Sequence, residues 1–386
     1  GTSLETGIPT HWNGNTGKGI AWKVPLPGIG HSSPIVYGNH LFVTTCLVES
    51  QRRELLCFDT ASGKLRWQRT VTQTPLEKKH KLNSFASGTP ATDGELVFVT
   101  FLESRGELDG DATPGNILVA AYDFDGDLRW KVRPGEFAST HGFCSSPVLF
   151  EGRVIVNGDH DGDSYIVALD RESGNTVWKS PRAHKTRSYV TPLIREIDGQ
   201  PHLVFSGSQH VTSLNPRDGS TWWTVEGPTE QFVASMVFDG EKFYLSAGFP
   251  THHVLGIHAD GRGDVTDTHV AWHSTVAKSY VPSPVVVDRY LFVADDRGIA
   301  NCFDTQSGER LWRERMGRHY SVSLVTAGGL VYFMDDDGNC KLVRPGDKVD
   351  LAAENPLGQP CYASPAISDG KIYIRGQTDL FCIVGN

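Results

Sequence analysis

The chain has 386 residues, 39% hydrophobic and 21% charged, with a formal net charge of −9. That balance suits a globular protein and argues against general nucleic-acid binding, which leaves a basic footprint. No apolar run approaches the roughly 20 residues a membrane-spanning helix needs. No leader pattern opens the sequence, so Gly1 reads as the start of a processed or trimmed chain, expected in the periplasm or outside the cell.

In chain order, the first element is a lone strand, GIAWKV around Trp22. A phrase of small polar residue, proline and apolar run follows, and it recurs. It reads SSPIV at Pro34, GTPAT at Pro90, SSPVL at Pro147, VTPLI at Pro192, PSPVV at Pro284 and ASPAI at Pro365. Met236 in ASMVF and Leu324 in VSLVT hold the same place in two worn copies. The copies therefore start near residues 32, 88, 145, 190, 234, 282, 322 and 363.

Each copy continues through a tight turn, such as Asp93-Gly94, Glu151-Gly152, Asp198-Gly199 or Asp369-Gly370. Pairs of this kind tolerate the positive φ of two-residue hairpins. A β-branched and aromatic strand comes next, then a third strand ending in Asp or Asn (Asp59, Asp170, Asn215, Asp304). The fourth carries a tryptophan four residues after a glycine, at Trp67, Trp130, Trp178, Trp223 and Trp312, where docking between repeats is its expected task. Trp272 ends a similar segment, and Trp222 is a surplus ring expected near the surface.

Four strands in each of eight copies predict an all-β fold, a single eight-bladed β-propeller spanning residues 1–386. The last copy lacks a Trp strand, and the strand around Trp22 is predicted to complete it, closing the circle and removing exposed edges. The GxxxW phrase after an Asp-ended strand resembles the pyrroloquinoline-quinone (PQQ) repeat family. That family includes quinoprotein alcohol dehydrogenases, BamB-like assembly lipoproteins and secreted bacterial PQQ-repeat proteins.

Antiparallel blades place the short turns between first and second and between third and fourth strands on one face. The variable connections fall on the other, where function on a rigid scaffold is expected. Three residues before each repeat's proline position stand His31, Ser87, Cys144, Tyr189, Val233, Val281, Ser321 and Tyr362, a predicted ring at the channel mouth. His141 and Cys144 in THGFCSSP read as members of this wall. A Cys–His nucleophile would need direct contact and an orienting third group.

Lys81, Lys185, Arg187, Lys278, Arg318 and His319, interleaved with Tyr189, Tyr280, Tyr320 and Tyr362, predict a basic and aromatic inner ring able to hold an anionic ligand or glycan. The other loops bring carboxylates, among them Asp296, Asp336 and Asp379. NGDHDGDS gathers Asp159, Asp161 and Asp163 as a calcium loop would, without the closing Glu of an EF-hand. His31, His141 and His319 could converge on a transition metal.

The seven cysteines contain no CxxC pair, which excludes the common zinc arrangements. Cys57, Cys302, Cys340 and Cys382 are expected at a small buried strand site.

Two functions emerge from the family. The resemblance implies, for a quinoprotein dehydrogenase, a PQQ in the channel with calcium and an Asp base, under a disulfide of adjacent cysteines that this sequence does not have. The preferred reading is a non-catalytic, monomeric binding propeller of the envelope or secreted fraction, whose ligand is a protein segment or an anionic small molecule or glycan. A metal-dependent polysaccharide-processing propeller is a third option.

Overall fold

A computed structural model describes residues 1–107 and 109–385. Eight antiparallel sheets stand around one axis as an eight-bladed β-propeller. Blade 1 holds strands Ile35–Tyr37, His40–Leu47, Arg52–Asp59 and Leu65–Gln73, ordered from the axis outward. Blades 2 to 7 repeat that order. Blade 8 takes Ala366–Ser368, Lys371–Arg375 and Asp379–Ile383 from the C-terminal part and Ile20–Pro25 from the N-terminal part, with Trp22 opposite Cys382. Closure therefore follows the route the tryptophan pattern predicts.

The innermost hairpins form where the turn pairs sit. Glu151, Asp198, Asp288 and Asp369 all adopt positive φ, between 42° and 53°. Asp93 and Asp239 do not. Their carboxylates accept backbone N–H groups of the next residues, and their blades have the shortest inner strands, Ala91–Thr92 and Val237–Phe238.

The GxxxW phrase works between neighbours. The indole N–H of Trp22, Trp67, Trp130, Trp178, Trp223, Trp272 and Trp312 donates to a carbonyl of the following blade, at 2.7–3.1 Å. Under five of these rings the next phrase's glycine (63, 126, 174, 219 or 308) holds φ of 68–83°. A Cβ there would lie 2.5–2.8 Å from the ring, so only glycine fits. In the seven blades with an outer tryptophan the residue facing it is small: Cys57, Ala121, Ala168, Ser213, Gly256, Cys302 and Cys382. Cys340 is buried but lies two positions off this register, opposite Asn355.

Three features depart from the sequence reading. Blade 7 has no outer tryptophan. Instead, Ile8 and Trp12 pack into its core with Leu357 and Ile372, and the Trp12 amide donates to Asn355 Oδ1 at 2.9 Å. Blade 4 gains a fifth strand, Gly263–Asp264, parallel to Thr221–Glu226, followed by a one-turn helix at Thr266–His269. Trp222 is half-buried rather than free, stacked on His202 with Arg262 over its ring.

Candidate functional site

The extended approach to each innermost strand sets up the site. Side chains alternate with period two, so ring residues face the axis while their neighbours enter the blades. His31, Ser87, Cys144, Tyr189, Val233, Val281, Ser321 and Tyr362 all line one cavity of about 580 Å³. Two residues on lies a second tier absent from the sequence reading: Ser33, Thr89, Ser146, Thr191, Ser235, Ser283, Ser323 and Ser364. Here backbone N–H groups donate to the next blade's hydroxyl, from Ser33 to Thr89, Thr89 to Ser146, Thr191 to Ser235, Ser235 to Ser283 and Ser283 to Ser323. Ser364 N donates to Ser33 Oγ at 3.0 Å and carries the chain of bonds from blade 8 to blade 1. The signal was present as a Ser or Thr before every proline position.

The cavity wall is aromatic. His31 lies against Tyr362 with ring centroids 4.7 Å apart, and burial, reinforced by Arg375 and Lys79, lowers its pKa to about 4. His141 Nδ1 is 3.0 Å from the Tyr189 hydroxyl. The Cys144 thiol turns instead to the Tyr189 carbonyl, and burial pushes it up to about 12. Cys144 and His141 are thus engaged with different atoms of one tyrosine.

The basic inner ring does not form. Lys81, Lys278 and Arg318 are exposed and absent from the cavity wall, because long flexible side chains keep their charge in water. Lys185 pairs with Asp163 beside a separate groove between blades 2 and 3. Arg187 does line the cavity, but its guanidinium is held by Asp161. His319 is bound to Asp336 at 2.7 Å and is not among the residues of the cavity wall that hold His31 and His141. Tyr320 is fully buried against Phe333, because it precedes Ser321 and faces the opposite way. Tyr280 occupies the same register yet lines the cavity; a Cβ on Gly248 would lie 2.4 Å from its Cβ.

Nor do the aspartates gather. Asp159 is buried against Arg182 and Ser188, Asp161 meets Arg187 and Asp163 meets Lys185. Among the described residues no group of three or more His, Cys, Asp or Glu side chains is placed to hold a metal ion.

Comparison with known proteins places this architecture. The family model described as outer membrane protein assembly factor BamB matches residues 9–77, 51–248 and 261–351. The chain belongs to the outer membrane protein assembly factor BamB family. Within that PQQ-like repeat family, the BamB of Bordetella pertussis is 22% identical over 392 residues, covering 98% of this chain and 87% of the relative. The BamB structure from Moraxella catarrhalis superposes with a TM-score of 0.63 at 14% identity, covering 94% of this chain and 97% of that one. The quinohemoprotein alcohol dehydrogenase ADHIIG from Pseudomonas putida HK5 gives 0.64 at 11% identity, covering 94% and 75%. At such identities these structures share the fold.

The cofactor implied by the dehydrogenase branch can be tested on the wall itself. PQQ is a tricarboxylate and needs converging cations. The lining offers one guanidinium already taken by Asp161, and one carboxylate, Asp296. Its single cysteine, Cys144, has no adjacent partner in sequence, and no tryptophan is among the lining residues. These residues do not fit the quinone.

Proposed function

We propose that the chain is a non-catalytic binding propeller of the bacterial envelope, which holds an extended protein segment across its variable-loop face. The supporting observation is the cavity mouth of an assembly-factor family member. Around an aromatic wall stand two apolar side chains in water, Leu82 at 38% and Phe249 at 49% exposure. Exposed apolar groups at the rim of a pocket are characteristic of interaction sites. An extended segment can lay alternate side chains into such a cavity while its backbone crosses the rim. A periplasmic setting agrees with the relatives' role as outer membrane assembly factors.

Site-directed photocrosslinking tests the reading. A photoreactive residue at Phe249 is expected to form discrete protein adducts in intact envelopes, whereas the same residue at Leu128, exposed on an outer strand, is expected to form none. Equal labelling at both positions, or none at Phe249, would overturn it.

A further inference from the structure

The cavity's two formal charges are not equivalent. Arg187 is neutralised by Asp161. Among the described residues Asp296 forms no ion pair with a Lys or Arg; its Oδ1 accepts the amides of Tyr280 at 3.2 Å and Val281 at 3.3 Å, His319 and His252 are the titratable groups acting on it, and no hydrogen bond engages Oδ2. Several other carboxylates on the same face do have cations: Asp159 with Arg182, Asp163 with Lys185 and Asp379 with Lys23. Asp295 and Asp335 on the same face also accept only amide groups, but they lie outside the cavity wall; Asp296 is the one carboxylate of that wall among the described residues.

Its surroundings are specific. The two amides belong to Tyr280 and Val281, both in the cavity wall, so the carboxylate is anchored at the base of the Tyr280 ring. That ring lies 6.4 Å from Phe249, tilted at 41°. The Tyr280 hydroxyl is 3.3 Å from Gln231 Oε1, which fixes the outer end of the ring. A carboxylate anchored on the Tyr280 backbone, in a wall that also carries the Tyr280 and Phe249 rings, can attract an organic cation twice, through its charge and through the ring quadrupoles. Burial pushes the Asp296 carboxyl above the usual carboxylate range, as expected of an anion lacking its counter-ion. A planar guanidinium suits this geometry better than an ammonium, since it can stack on a ring and offer paired N–H groups to Oδ2.

We propose that this cavity receives an arginine side chain of the docked segment, with Asp296 as its counter-ion and the rings of Tyr280 and Phe249 as its platform. The inference rests on the segment-binding reading above and names the partner's chemistry. It predicts a segment whose anchor is basic, complementary to a chain of net charge −9.

The test uses the whole chain and defined probes. Amide chemical shifts are followed while acetyl-Gly-Gly-Arg-Gly-Gly-amide is added, alongside its citrulline analogue and free methylguanidine. Saturable shifts at Tyr280 and Val281 are expected, with the neutral citrulline peptide and the Asp296→Asn chain each binding about tenfold more weakly. Asn at 296 can still accept both amides, so the fold is preserved, and unchanged thermal unfolding verifies this. Phe249→Ala, at an exposed position, should weaken binding several-fold. Equal binding of the citrulline peptide, or an Asp296→Asn chain that binds undiminished, would overturn the proposal. So would methylguanidine binding as tightly as the peptide, which would make the site one for free cations. Persistent Phe249 crosslinks in the Asp296→Asn chain would sink the arginine inference alone; loss of crosslinks in the unmodified chain would remove the docking reading itself.

Discussion

His31 shows how one side chain reports on the cavity. Its imidazole is packed against Tyr362, and Arg375, buried behind it with bonds to Ser32 and Thr44, adds an unfavourable positive charge. The folded-state pKa of about 4 lies below that of a free histidine, so folding favours the neutral ring. The stability contributed by this preference is complete above about pH 6.5 and is lost as pH falls toward 4. A His31→Gln chain cannot take up that proton on unfolding. Urea midpoints measured across this window should therefore fall less steeply in His31→Gln than in the parent. His202, lowered to about 4 by burial, keeps a slope in both chains, so the difference between them is the readout. Parallel curves would mean that His31 is as well hydrated as a free histidine.

Among the elements, the joint between blades is built from one ring and one glycine. Gly174 sits at φ 71°, and a Cβ there would lie 2.7 Å from the Trp130 ring. Gly174→Ala must strain the backbone and displace the ring together, and should destabilise the protein by roughly 1–3 kcal/mol or more. Gly152→Ala is the control, at φ 72° with nothing within 4 Å of the added Cβ, and it should show the backbone part alone. Chemical denaturation of both chains separates the two effects; equal losses would deny the ring its part.

The same joint explains what the sequence made legible. Glycine, tryptophan and the Asp-Gly turns recur because backbone geometry demands them in every copy, so repeat count, closure and the eight-membered ring around His31 and Cys144 could be read directly. Side-chain direction could not. Whether Arg187 faces the axis depends on Asp161 in the preceding blade, and Tyr320 and Tyr280 share a register while pointing opposite ways. The docking of Trp12 in place of a blade 7 tryptophan was hidden for a related reason, since its partner Asn355 lies 343 positions away.

At the scale of the whole molecule, stability depends on the one joint with no continuous chain across its sheet. Blade 8 is completed by Ile20–Pro25, and Trp22 carries that blade onto blade 1 through Thr60. Nearer the axis, Ser364 reaches Ser33, and Arg375 reaches Ser32 and Thr44. The strand and the inner latch act on different parts of the joint, and two shortened chains distinguish them. A chain beginning at Gly19 loses the packing of Ile8 and Trp12 but keeps the strand; it should unfold at lower denaturant and retain the size of the parent in solution. A chain beginning at Leu26 exposes the edge of Asp379–Ile383, a template for pairing with other molecules. It should self-associate, as seen by light scattering after gel filtration, and a peptide spanning residues 17–27 should restore the parent's size by filling the edge in trans. If the chain from Leu26 instead keeps both size and denaturation midpoint, the inner latch alone holds the ring. The N-terminal strand would then be a cover for the edge rather than part of the closure.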